Sequence, residues 1–246
     1  MDSQKTISEL QRISAALSVG FKNLYSGPKP FFGKVHTVYN PLVYAREPHN
    51  RYLELAGAAP KKVIFLGMNP GPWGMAQTGV PFGEVAAVRD WLGIEETVGK
   101  PENEHPKRPI EGFACARSEV SGRRLWGLFR ERFGTPANFF RDHFVANYCP
   151  LVFMDQGGAN ITPDKLPTGE AAPLFKLCDA ALAKTIELLK PKWVIGVGAF
   201  AKKRIDTLTG PFSTAQILHP SPASPKANAG WDREVTETLK DIGVWK

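Results

Sequence analysis

The sequence predicts an α/β protein: a three-layer α/β/α sandwich around a four-stranded parallel sheet. Three observations predict it. Short apolar runs alternate with helical segments, which is the pattern of a parallel sheet covered on both faces. A long, rigid, polar loop follows the first clear strand, at the edge where such folds place ligands. The other strands also end in or beside polar or glycine residues, so chemistry gathers on that one edge. With 246 residues, 43% of them hydrophobic, the chain has material for one sizeable core. A single domain over 1–246 is expected, with residues 1–34 forming an N-terminal helix and arm packed on it.

The elements follow in order. Ile7, Leu10, Ile13 and Leu17 recur at helical spacing and predict an amphipathic packing helix. Residues 27–48 are aromatic and proline-rich without periodicity, and predict an extended arm or loop. The apolar run 62–66 predicts a buried parallel strand, with Val63 to Gly67 its clearest part. The loop from Leu66 to Glu84 then holds prolines, glycines, Asn69, Gln77, Trp73 and Phe82. Prolines fix φ and glycines permit close approach, so its amides can be held in place before a substrate arrives. Helix is expected over 84–92, a polar loop over 99–112 and a second helix over 122–133, with Leu125, Trp126 and Phe129 facing the core. Residues 143–148 predict the second strand, stopped by Pro150, and 155–173 a further loop. A strong helix over 174–189 leads to the third strand over 192–198 and a helix over 199–208. The fourth strand, 215–218, ends at His219, and a helix over 231–242 closes the chain.

The net charge of +7 favours a polyanionic partner, nucleic acid before anionic membrane. The basic residues are spread out, with a local knot between Arg117 and Arg132 and no polybasic tail. Three widely spaced cysteines, Cys115, Cys149 and Cys178, fit neither a disulfide framework nor a zinc or iron–sulfur site. No metal and no cofactor is expected. The N-terminus lacks the basic and apolar regions of a signal peptide, and no apolar stretch is long enough to span a membrane. An intracellular monomer, placed with the nucleic acid it acts on, is the expectation.

Asn69, Asn147, Gly198 and His219 all fall at or just beyond strand ends. Asn69 and His219 each precede a proline, which holds them extended. Asn147 sits in an apolar strand, so its amide needs a neighbouring loop or a ligand as partner. His219 heads a second proline-rich loop, residues 219–231, in which Ser221, Ser224, Lys226 and Asn228 offer donors suited to phosphate. His36, His49, His105 and His143 lie in loop-like segments or at a strand start and are read as structural or surface groups. Residues 196–201 match a dinucleotide fingerprint, but the following strand ends at His219 and not at a ribose-binding acid. Close helix–strand packing explains these glycines better.

Several motifs together resemble the single-strand-selective monofunctional uracil-DNA glycosylases: Gly67-Met68-Asn69-Pro70-Gly71-Pro72, Met75-Ala76-Gln77-Thr78-Gly79-Val80-Pro81-Phe82-Gly83-Glu84 and His219-Pro220-Ser221-Pro222. Val38-Tyr39-Asn40-Pro41-Leu42, His105-Pro106-Lys107-Arg108-Pro109, Ser118-Glu119-Val120-Ser121-Gly122 and Asn147-Tyr148-Cys149-Pro150-Leu151 extend the likeness over nearly the whole chain after about residue 35. The resemblance implies a DNA repair enzyme that cuts the bond between a uracil-type base and deoxyribose, in single- or double-stranded DNA. It implies that Phe82 stacks on the flipped base, that Asn147 reads its Watson–Crick edge and that the Met68 N–H helps hold it. It implies that His219 stabilises the departing base and that Asn69 positions the attacking water.

Two positions depart from relatives. Gly71 stands where the first-described uracil-DNA glycosylases carry a tyrosine, and room beside C5 implies tolerance of 5-hydroxymethyluracil. Ala223 stands where some members carry a large basic wedge, so duplex penetration is expected either to be weaker or to be borne by neighbours such as Ser224 and Lys226. Arg123 and Arg124, at a helix start, are candidate phosphate contacts. The competing expectations are a catalytically weak reader of DNA damage with the same fold and, less favoured, a nicotinamide dehydrogenase built on residues 196–201.

Overall fold

The computed structural model describes residues 2–25 and 33–246. Its centre is a four-stranded, all-parallel sheet in the order β3-β2-β6-β7, made of β2 (Val63–Gly67), β3 (His143–Asn147), β6 (Trp193–Val197) and β7 (Ser213–Ile217). All four strands match those expected. β2 is buried along its whole length, as an apolar run without alternation requires. Helices cover the sheet. α8 (Ala199–Ile205) packs on β6, β7 and β2, α6 (Pro136–Asp142) on β3 and α10 (Trp231–Asp241) on β7. α1 (Ser3–Tyr25) packs on α7 (Thr168–Leu189) and α3 (Arg46–Leu55), and α5 (Val120–Phe133) on α6.

The glycines of residues 196–198 have the packing role expected of them. A Cβ on Gly196 would collide with the backbone of Lys202, so glycine lets α8 lie directly against β6. Gly198, at φ +91, would place a Cβ 3.2 Å from that of His219. Helix packing and clearance of the histidine account for both glycines.

Three expectations are corrected. Residues 33–48 are not an extended arm: they form β1 (Thr37–Tyr39), α2 (Pro41–Tyr44) and the start of α3. Asn40 caps α2 by accepting from the Leu42 N–H at 3.2 Å. Residues 26–32 of that segment lie outside the described residues. The loop expected over 155–173 contains β5 (Asn160–Ile161) and the first turns of α7, which runs through Pro173. β4 (Val152–Met154) pairs with β1 and β5 in a second, antiparallel sheet of order β1-β4-β5. Helix α6 was not expected either, although Thr135 before Pro136 is a helix-start signal, and the Thr135 hydroxyl accepts from the Asn138 N–H. The segment expected as helix over 84–92 winds as a π-helix over Ala87–Trp91.

Two buried histidines tie the core together. His49 bridges α1 to the long loop: its Nδ1 lies 2.8 Å from the Gly79 carbonyl and its Nε2 2.9 Å from the Ser14 hydroxyl. Nδ1–H donates to the carbonyl, and burial lowers the ring's pKa from 6.5 to about 4, which keeps it neutral at pH 7. His143 lies among Phe65, Phe133 and Phe139, and burial likewise lowers its pKa to about 4. Both rings stay neutral in the folded state while the unfolded chain binds protons from pH 6.5 downward. Stability is therefore fully present above 6.5 and falls as pH drops toward 4, by up to about 3 kcal/mol per ring. Urea melts at pH 7.5 and pH 5 check this: His49→Gln should narrow the gap between them, and an unchanged gap would clear His49 of any part in it.

Candidate active site

Strand register assembles the site. Gly67 pairs with Asn147, so the loop after β2 emerges beside the end of β3. Val197 pairs with Ile217, so Gly198 and His219 leave the sheet together. The expected convergence on one edge is present. A cavity of about 340 Å³ opens there, lined by Met68, Asn69, Pro70, Gly71, Met75, Phe82, Glu119, Ser121, Asn147, Asn160, Thr162, His219 and Ser221. It brings together every catalytic and base-binding residue expected from the sequence.

The floor is shaped by the missing side chain of Gly67. A Cβ there would stand 2.5 Å from Phe82 Cε2 and 2.6 Å from Asn147 Oδ1. Phe82 is buried and adopts φ +52, a conformation unusual for a bulky residue. Its surroundings impose it. Thr78 donates to the Gly83 carbonyl at 2.9 Å, and Gly122 brings the start of α5 directly onto the Phe82 carbonyl. Gln77, fully buried, uses its whole amide: it donates to the Pro72 and Pro109 carbonyls and accepts from the Glu111 and Gly112 N–H groups. The loop is thus rigid before any ligand arrives. Gly67→Ala should push Phe82 and Asn147 apart, and we expect a loss of activity on the order of a hundredfold with the fold kept. Single-turnover rates beside a thermal melt check this, and wild-type activity in the variant would refute the close fit.

Of the polar groups that line the cavity, Asn147, Asn69, His219 and Glu119 bear most on its chemistry. The Asn147 NH2 has only the Met75 sulfur, at 3.3 Å, and its Oδ1 is buried without a hydrogen-bond partner among the described residues. An orphan acceptor of this kind costs about 1–3 kcal/mol, which a ligand N–H recovers. The Asn69 NH2 lies 3.3 Å from both the Pro70 and Leu151 carbonyls, and its Oδ1 has no hydrogen-bond partner among the described residues. The His219 ring stands 6.2 Å from that of Phe82, centre to centre. Enclosure lowers its pKa to about 4, with no charge or hydrogen bond opposing, so the ring is neutral at pH 7. Glu119 joins them from the Ser118-Glu119-Val120-Ser121-Gly122 motif, which by itself assigns it no role. Asn160 and Thr162 were also missed, because β5 is too short to leave a periodic signal.

The residues around the mouth divide. Arg124 does not project freely: its guanidinium donates to the carbonyls of Pro220 and Ser221 and to Asn228 Oδ1, at 2.8 Å for the last. It buttresses the loop after His219. The Ser221 hydroxyl accepts from the Ala223 N–H, and Ser224 caps α9 (Pro225–Asn228) by accepting from the Ala227 N–H. Arg123, Ala223 and Lys226 are exposed. Gly71 carries a further finding: the space beside it is filled by a carboxylate, since a Cβ there would lie 2.6 Å from Glu119 Oε1.

Comparison with known proteins agrees with this geometry. The model of the uracil DNA glycosylase superfamily matches residues 56–242. The chain is 50% identical over 214 residues to the single-strand selective monofunctional uracil-DNA glycosylase of Rattus norvegicus, covering 85% of this chain and 77% of that protein. The Bos taurus protein of the same name is also 50% identical, over 85% of this chain and 79% of its own length. Among solved structures, SMUG2 from Pedobacter heparinus shares the fold at a TM-score of 0.62 and 14% identity, over 93% of this chain and 97% of that one. By its matching motifs, its fold and its relatives, the chain belongs to the uracil DNA glycosylase superfamily and, within it, to the single-strand selective monofunctional family.

Proposed function

We propose that this protein hydrolyses the N-glycosidic bond of uracil, and of C5-modified uracils such as 5-hydroxymethyluracil, in DNA, and so initiates base excision repair. The observation that carries this is the unpaired Asn147 Oδ1 in a cavity walled by Phe82 and His219. The base must leave the stack to be cut, and this cavity receives it. Phe82 stacks on its face. Asn147 Oδ1 accepts from N3–H and the amide NH2 donates to O4, whereas cytosine presents the opposite pattern. Cleavage leaves negative charge on the uracil, and the neutral His219 ring donates a hydrogen bond to O2. Asn69 orients the water through its free oxygen. An amide is no strong base, so bond breaking runs ahead of water attack.

DNA is held by exposed basic groups, Arg123 and Lys226 among them, while Arg124 keeps the loop after His219 in place. The small, exposed Ala223 at that loop supports a preference for single strands, because it cannot fill the gap a flipped base leaves in a duplex. The test is a labelled single-stranded oligonucleotide with one uracil, incubated without metal or cofactor and then treated with alkali. Cleavage by wild type but not by His219→Ala supports the reading. No cleavage on this strand or its duplex points to a reader of damage instead. Borohydride trapping should give no covalent adduct, since no lysine Schiff base takes part.

A further inference from the structure

Glu119 immediately precedes α5 and lines the cavity that holds Asn69, Asn147 and His219. Two glycines clear its place: a Cβ on Gly71 would stand 2.6 Å from Oε1, and one on Gly74 would overlap the carboxyl group altogether. The Gly71 and Gly122 N–H groups both donate to it. The residue is half-buried overall, yet its carboxyl is enclosed, and burial with the nearby charge of Glu84 pushes its pKa up to about 7. A carboxylate offers about four acceptor positions, so two amides leave capacity toward the cavity.

We propose that Glu119 determines which substituents at C5 of the flipped base this pocket accepts. The inference rests on the uracil reading above. With His219 at O2 and Asn147 at N3 and O4, the ring's remaining edge is C5–C6, and Gly71 with Glu119 supplies a polar wall to meet it. Base entry takes solvent from the Glu119 carboxylate. The O–H of a 5-hydroxymethyl group replaces the lost hydrogen bond. A methyl group cannot, and leaves a buried acceptor unpaired, which is how a polar site rejects an analogue that lacks the hydroxyl. Plain uracil leaves room for a water there.

Single-turnover excision of uracil, 5-hydroxymethyluracil and thymine from one single-stranded oligonucleotide, at a pH above about 8 where the Glu119 carboxyl is ionised, tests this with the full chain, Glu119→Gln and Glu119→Met. Gln keeps the shape, should Met disturb folding. The expected result in Glu119→Met is a drop of about tenfold or more in the rate ratio of 5-hydroxymethyluracil to uracil, the scale of one lost hydrogen bond to a charged group. The gap between 5-hydroxymethyluracil and thymine should narrow with it, and Gln should lie between. An unchanged ratio in a uracil-active variant overturns the proposal. So does an equal loss on all three bases, which would make Glu119 a support for the Gly71 loop only. Wild type inactive on uracil would overturn the uracil reading itself, and this proposal with it.

Discussion

His219→Ala is expected to fold, to bind uracil-containing DNA and to lose on the order of 10²–10³ in excision rate, as other enzymes do on losing one preorganised donor to a developing anion. The ring is held beside Phe82 and enclosed, with a pKa of about 4, so at neutral pH it is a neutral donor with no protein partner among the described residues. It costs no reorganisation when charge develops on the base. His219→Gln, also a neutral donor, should recover part of the rate. Because the folded ring titrates near 4, wild-type activity should show no inflection from His219 around pH 6.5. Single-turnover rates across pH 5.5 to 8 decide the matter. An inflection near 6.5 that vanishes in His219→Gln would show that the ring works as a cation.

Asn69→Ala should cost on the order of a hundredfold in rate with DNA binding retained, the scale at which a misplaced reactant is felt. Its NH2 is anchored on the Pro70 and Leu151 carbonyls, both at 3.3 Å, so Oδ1 has one direction in which to hold a water. The same anchorage makes Asn69→Asp informative. An aspartate would set a carboxylate oxygen against two carbonyl oxygens, which disfavours its ionised form and so its use as a base. Asn69→Asp should therefore fall below wild type despite bringing the stronger base. A rate above wild type would mean that water activation, not orientation, limits the reaction. Stopped-time assays under enzyme excess, with binding measured on the uncut strand, separate the two effects.

Legibility followed how local each signal was. The four parallel strands were readable because each is a short apolar run set between turns and helices, and Asn69, Asn147 and His219 were readable because strand ends share one edge. Phe82 and Gly71 were assigned through motif resemblance, and the cavity contains both. The small sheet β1-β4-β5 was invisible: strands of two or three residues have no period, and β1 pairs with a strand far along the chain. Arg124 read as a candidate phosphate contact, because nothing near it in sequence announces that Pro220, Ser221 and Asn228 surround its guanidinium.

The sequence by itself determined the α/β class, the proline- and glycine-rich loop after β2 and the gathering of Asn69, Asn147 and His219 on one edge of the sheet. These depend on apolar periodicity, on proline and glycine backbone limits and on residue chemistry, all of which act over a few positions. Only the tertiary structure decided that Gly67 must lack a side chain for Phe82 and Asn147 to meet, that the His219 ring is neutral, and that Glu119 fills the space beside Gly71. Those facts depend on which distant backbones are brought within a few ångströms and how much water is left between them, and packing alone sets both.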